Sequence, residues 1–147
     1  MRYFALAVTL LLASCGPKPN PVDEFSTRPV TLPGGQVIQA ETMVDNVDLM
    51  RGLMFRPSMA ADHGMLFAHR VPDKHRYWMY QTLIPLDMVW LDGKHNIVEI
   101  VENAQPCRTP ASQCPLYGGT QISSYVLEIN AGMAKKYGLK LGQTILW

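Results

Sequence analysis

The stretch YWMYQTLIPLDMVWLDG, Tyr77 to Gly93, is crowded with large apolar side chains. Its second half, Leu86 to Leu91, reads as a strand with Asp87, Val89 and Leu91 on one face and Leu86, Met88 and Trp90 on the other. Asp92-Gly93 then opens a turn, and IVEIVEN, Ile97 to Asn103, returns as the hairpin partner. The first half, Tyr77 to Leu83, reads as a further strand. Pro85 cannot donate to a sheet ladder, and Ile84 before it prefers an extended backbone, so the chain bends or bulges between the halves.

Both faces of Leu86–Leu91 are apolar, so Asp87 is expected to be at least half buried. A buried, unpaired carboxylate costs several kcal/mol, which calls for a partner. Arg51 and Arg56 bracket a similar apolar stretch and are the arginines expected to pair with it. A floor of a ligand cleft and a catalytic carboxylate are the other readings of Asp87. Catalysis would need a second titratable group. The nearest carboxylates in sequence, Asp92 and Glu99, fall in a turn and on a hairpin strand.

Working outward, VTLPGGQVIQAE reads as a hairpin, Val30–Leu32 and Gln36–Ala40, around the turn residues Pro33-Gly34-Gly35. Asp45 can cap a short helix over Asn46–Arg51, which Gly52 ends, and Leu53–Phe55 starts a short extended piece. Gly64–Ala68 is a short apolar strand, with VPDKHR as its polar exit loop. Beyond the central hairpin, Gln105–Ser124 is a long loop. Tyr125–Ile129 alternates as a strand with Tyr125, Leu127 and Ile129 on one face. AGMAKKYG predicts a helix of about two turns ending at Gly138, and LKLGQTILW a last strand. The sum is a mainly β fold, a compact barrel or sandwich with two short helices.

The chain has 147 residues, the length of one domain with a real core. Net charge is +1 with no block of basic residues, so no nucleic-acid partner is expected. No apolar run approaches the ~20 residues of a spanning helix. The N-terminus MRYFALAVTLLLASC has an early Arg2, an apolar run from Tyr3 to Leu12, small residues and Cys15. That is the layout of a secretory signal, and Leu12-Ala13-Ser14-Cys15 resembles the bacterial lipoprotein box. Residues 1–15 are therefore read as a lipoprotein signal ending at a lipidated Cys15, and residues 16–29, with four prolines, as a tether. Residues 30–147 are the folded domain. Gly16, where an Asp would favour retention at the inner membrane, points to the periplasmic face of the outer membrane in a Gram-negative cell.

RGLMFRPSM (Arg51–Met59), GMLF (Gly64–Phe67), WMYQTLIPLDMVWLD (Trp78–Asp92), the strand end Val101–Asn103, and YVLEINAG followed by GLKLGQ occur in that order. Together they cover nearly all of Val30 to Trp147 and resemble a bacterial and archaeal family, domain of unknown function 192. The resemblance implies a compact, mostly β fold, related in outline to jelly-roll sandwiches. It implies no activity, because the family has none assigned. The chain departs from the family's pattern at Tyr80-Gln81, where many members have a basic residue and Asn.

The residues that could carry chemistry are few. His63, His69, His75 and His95 form no H-x-x-x-H or H-E-x-x-H motif, so no metal and no cofactor is expected. No Ser or Cys stands in a nucleophile motif, and no catalytic residue is assigned. If Cys15 is lipidated, Cys107 and Cys114 remain as an even pair in an oxidising compartment, and a disulfide is expected, stabilising by ~2–3 kcal/mol. Met50, Met54, Met59, Met65, Met79 and Met88, with Trp78 and Trp90, make either an adaptable core or an apolar groove. The candidate binding residues are Arg51, Arg56, Trp78, Tyr80, Thr82 and Asp87.

These readings describe a lipid-anchored envelope protein, more a binding module than an enzyme, for a small molecule, a glycan or a protein partner. An envelope hydrolase using Asp87 with a histidine is the alternative, and a purely structural envelope protein the third reading. Cys15→Ser is expected to release the protein from membranes or leave it unprocessed. Wild-type fractionation of that variant, with no lipid on Cys15 of the wild-type protein by mass spectrometry, would overturn the anchor.

Overall fold

Pro33-Gly34-Gly35 turns the chain as its residue types require: Leu32 N–H donates to Gln36 O and Gly35 N–H to Leu32 O, both at 2.8 Å. This joins β1 (Thr27–Thr31) to β2 (Val37–Met43) in the computed structural model, which describes residues 27–147. The signal, Cys15 and the tether as far as residue 26 lie outside the described residues. β1 takes in residues 27–29, assigned to the tether by their proline. Pro29 is tolerated there because β1 is an edge strand.

Helix α1 (Asn46–Arg51) follows, with Asp45 at its N-cap, although the Asp45 side chain makes no capping hydrogen bond. Gly52 closes it at φ 45°. Next, β3 (His63–Asp73) pairs parallel to β2 and antiparallel to β8 (Ser123–Asn130). Val71-Pro72-Asp73, expected in a loop, belongs to β3 because the chain regains pairing with β8, Asp73 against Ser123, after a shift beyond Ala68. The expected strand Tyr77–Leu83 is shorter than predicted. Only Tyr77–Trp78 forms β4, because each later residue finds a different partner. Met79 enters the core, Tyr80 bridges to Cys107, Gln81 turns left-handed (φ 53°) and Thr82 bridges to Met54.

The hairpin of β5 (Leu86–Leu91) and β6 (Ile97–Ala104) forms as the Asp92-Gly93 turn predicts. The long loop carries a 3-10 turn (Ala111–Gln113), the Cys107–Cys114 disulfide and β7 (Leu116–Tyr117), which pairs with β4. Gly118 closes this loop onto the sheet. A Cβ there would lie 2.1 Å from the Trp90 ring, so the approach requires glycine. After β8, α2 (Met133–Lys136) is one turn rather than two, followed by Gly138 at φ 65°.

The main sheet runs β1-β2-β3-β8-β5-β6, beside the two-stranded β4-β7. The fold is thus mainly β with two short helices, but the sheet does not close into a barrel. The C-terminal segment, expected as a strand, makes isolated bridges instead. Leu146 pairs with Thr31 of β1, and Thr144 with Asn96 beside β6. One segment bonded at both edges draws the sheet into a curl. Inside the curl pack Ile38, Leu66, Val89, Leu127 and Ile129 with Met133, Leu139 and Ile145. On the other face Met43, Met65, Phe67, Met88, Trp90 and Val126 pack under Leu53, Met79 and Cys107.

Asp87 is 0% exposed, but its partners are not arginines. Oδ1 accepts the N–H of Asn103 and Oδ2 the N–H of Ala134, each at 2.8 Å. The carboxylate thereby ties the end of β6 and the first turn of α2 to β5, where Gly132 at the helix N-cap has no side chain to do so. The expected pairing with Arg51 or Arg56 fails on geometry. Asp87 shares a face with Val89 and Leu91, inside the curl, whereas Arg56 binds Glu41 on the opposite face and Arg51 is exposed at the end of α1.

Asp87→Ala leaves two N–H groups without their acceptor, and a loss of ~2–5 kcal/mol is expected. Asp87→Asn turns an NH2 toward one of them and is expected to lose about half as much. Chemical denaturation reads both, and wild-type stability in the alanine variant would remove the structural role.

Candidate functional site

Strand β8 lies between β3 and β5, inside the sheet. Its alternation sends Leu127 and Ile129 into the curl and Val126 and Glu128 to the opposite face. The register places Glu41, Met65, Glu128 and Met88 in one row across β2, β3, β8 and β5. The row holds two buried carboxylates with opposite fates. Glu41 receives both guanidinium nitrogens of Arg56, at 2.5 and 2.7 Å. Glu128 is 4% exposed and has no hydrogen-bond or ion-pair partner among the described residues. Its neighbours in the row are methionines, whose thioethers cannot donate. Burial pushes the Glu128 carboxyl up to about 8.

Glu128 lies at the base of a cleft of about 250 Å³. One wall is the end of α1 and the segment after it, Leu49 to Met54. Gly52 lets this wall approach β3: a Cβ there would come within 3.1 Å of the Phe67 ring. The facing wall is Arg76, Tyr77 and Trp78, with Thr82 beside them, while β3 contributes Phe67 and His69. Tyr77 is held edge-on by Phe67 and Trp90, with ring centroids 5.1 and 5.9 Å away. Its hydroxyl shares a 2.8 Å hydrogen bond with His69 Nε2. Burial, and then the nearby Glu128, hold the phenol well above its ordinary value. His69 is lowered to about 4 by burial and by His75, stacked on it at 3.5 Å. At neutral pH the histidine is therefore uncharged and gives Glu128 no counter-charge.

A second hollow, of about 460 Å³, adjoins the first through Thr82. It lies between Phe55, Tyr80, Gln81 and Leu83 and the disulfide loop at Cys107–Pro110. Phe55 (φ 64°) and Gln81 (φ 53°) are both left-handed, and the Phe55 N–H donates to Gln81 O at 2.9 Å. No buried ionisable group lines this hollow.

The candidate residues read from the sequence are thus divided. Arg51, Trp78 and Thr82 line the Glu128 cleft, and Tyr80 lines the second hollow. Arg56 is bound to Glu41, and Asp87 faces away from both hollows with its two oxygens on backbone N–H groups. Among the described residues Asp87 bonds no histidine: both its oxygens accept backbone N–H groups, and His69 lines the cleft on the other face. The methionines divide too. Met65, Met79 and Met88 are core, while Met50 and Met54 line the cleft. Among the described residues no three His, Cys, Asp or Glu side chains gather to hold a metal ion. Glu128 was missed, although the two-face reading given to Asp87 applies equally to an acid in YVLEI.

A raised carboxyl has a signature in stability. Folded Glu128 keeps its proton to about pH 8, whereas the unfolded chain releases it near 4.5. The contribution is fully present below pH 4.5 and is lost as pH rises through about 8. Glu128→Gln removes this decline. The variant is expected to gain ~3–5 kcal/mol over wild type between pH 5 and pH 9. The opposite trend of His69, lost as pH falls from 6.5 toward 4, cancels in that difference. Parallel denaturation profiles for the two proteins would contradict the assignment.

Comparison with known proteins adds family but no activity. No curated protein matches the chain. A protein of unknown function from Novosphingobium aromaticivorans is 28% identical, with a TM-score of 0.77 over 96% of this chain and 99% of that one. A Sinorhizobium meliloti protein with the provisional name of transcription regulator is 33% identical, with a TM-score of 0.70 over 80% and 89%. Residues 29–147 match the family DUF192, described as an uncharacterized ACR. The chain, with its mixed β-sheet and the acid at its centre, belongs to the DUF192 family.

Proposed function

We propose that this protein is a lipid-anchored binding module of the cell envelope, and that the Glu128 cleft holds a small molecule that donates to the carboxyl. The observation that carries the reading is Glu128, which has no partner among the described residues. A carboxyl on a covered sheet face, with thioethers on either side and no donor among the described residues, is open to a group in the cleft that donates to it. Functional sites are where such groups persist. The cleft is concave and largely apolar, with a few convergent polar groups, which is the form of a small-molecule site. His69 and Tyr77 bond each other rather than Glu128, which favours binding over acid–base catalysis.

The leader ending at Cys15 and the proline-rich residues after it support the anchor. The name of the Sinorhizobium relative is not carried over, because a net charge of +1 without a basic block does not suit DNA.

Thermal-shift screening of the full chain against small envelope components tests the site. A ligand at a hundred times its Kd adds ~2.7 kcal/mol to the native state and raises Tm. The shift is expected to vanish in Glu128→Gln, which keeps the fold. Ligands that stabilise the two proteins equally would place the binding elsewhere.

A further inference from the structure

We infer that the ligand of the Glu128 cleft is a small zwitterion, whose ammonium goes to Glu128 and whose carboxylate meets Arg76 and Arg51 at the rim. This rests on the binding reading given above. The cleft is polarised in depth. Among the described residues that line it, the one carboxyl is at the base and buried, whereas the two arginines are exposed at the mouth. Neither arginine has a hydrogen-bond or ion-pair partner among the described residues. Arg76 is also positioned: its stem lies against Gly119, where a Cβ would come within 2.6 Å of Arg76 Cγ. Between base and mouth the walls are apolar and aromatic, with Phe67, Tyr77 and Trp78 on one side and Leu53 and Met54 on the other.

Each simpler ligand meets this arrangement badly. An anion alone would use the arginines and accept the Glu128 O–H, but would leave the other Glu128 oxygen without a donor. A cation alone would pass two arginines without compensating them. A neutral sugar would use neither arginine as a charge. A molecule with an ammonium inside and a carboxylate outside uses both ends. α-Amino acids and short peptides with free termini have this chemistry.

The geometry also couples binding to pH. An ammonium at Glu128 favours the ionised carboxyl, so binding near neutral pH expels a proton. The groups facing Glu128 are Tyr77 and Arg76 from the β4 side, His69 from β3 and Arg51 from α1. The Glu41–Arg56 pair stands two strands away in the same row. His69, lowered to about 4, and Tyr77, raised, do not change charge between pH 6 and 8. Affinity for an α-amino acid therefore rises with pH, up to about tenfold per unit, and levels off above about 8. Affinity for a peptide, whose α-amino group itself titrates at ~8, passes through a maximum there.

Calorimetry on the full chain in detergent tests this at pH 6.5, 7.5 and 8.5. The probes are glycine, L- and D-alanine, L-leucine and Ala-Ala, each beside its N-acetyl and amide forms, with N-acetylglucosamine as a neutral control. At least one zwitterion is expected to bind with release of a proton. It should lose about tenfold or more in affinity on N-acetylation, on amidation, in Glu128→Gln and in the double variant Arg51→Ala/Arg76→Ala. Equal binding of the N-acetyl or amide form overturns the inference. So does Glu128-dependent binding of N-acetylglucosamine without proton release, although the small-molecule reading would then stand. If no probe binds, and the wider thermal-shift screen is also silent, both readings fall.

Discussion

A sheet covered on both faces leaves its inner strands no solvent side on which to place a charge. That constraint organises this protein. β5 is buried at every position, and β8 beside it is nearly so. Each strand nevertheless carries a carboxyl, Asp87 and Glu128. The register sets Asp87 against Ile129 and Met88 against Glu128, so the two acids are diagonal neighbours that point to opposite faces. An acid in such a place is either supplied with donors or kept protonated. Asp87 receives two backbone N–H groups, and Glu41 receives Arg56. Glu128 receives nothing from the described residues and holds its proton instead.

The two covers of the sheet differ in kind, and the difference makes the cleft. Inside the curl, α2 and the C-terminal segment pack as a continuous apolar layer, tied at both sheet edges. The outer face is covered by short pieces: α1, the turn after it, the two-residue strands β4 and β7, and the disulfide loop. Each piece is pinned at a point, by Gly52 on Phe67, Gly118 on Trp90, or Cys107 to Cys114. Pieces fixed at points leave gaps between them, and the left-handed Phe55 and Gln81 mark where the joins are strained. The gap between α1 and β4 opens directly over Glu128.

The site therefore combines a rigid base with an irregular rim. Glu128 is fixed by hydrogen-bonded strands on both sides of β8. Tyr77 is clamped by two aromatic rings and by His69, which is itself stacked on His75. Rigid placement of a few polar groups in an apolar cleft lowers the cost of ordering on binding. The charged groups at the mouth are the exposed Arg51 and Arg76. In the zwitterion site proposed above, the base sets which chemical group enters and the rim which second charge is tolerated.

The sequence by itself determined what depends on neighbours along the chain. The turns at Pro33–Gly35 and Asp92-Gly93, the helix stopped by Gly52, the alternation of Tyr125–Ile129 and the pairing of Cys107 with Cys114 were all legible. Each rests on backbone preference, side-chain period or simple counting. The tertiary structure alone decided the parallel pairing of β2 with β3, the splitting of Tyr77–Leu83 among three partners, and the C-terminal segment as a tie. It also decided the fate of both acids. The burial of Asp87 was readable from its apolar neighbours, but its donors come from 16 and 47 residues away and are backbone N–H groups, which every residue except proline carries. No residue type marks them, whereas an arginine is visible in the sequence as a partner for an acid. Glu128 was harder still, because what distinguishes it is that no donor among the described residues reaches it. A missing partner leaves no trace in a sequence and appears only when the surrounding side chains are in place.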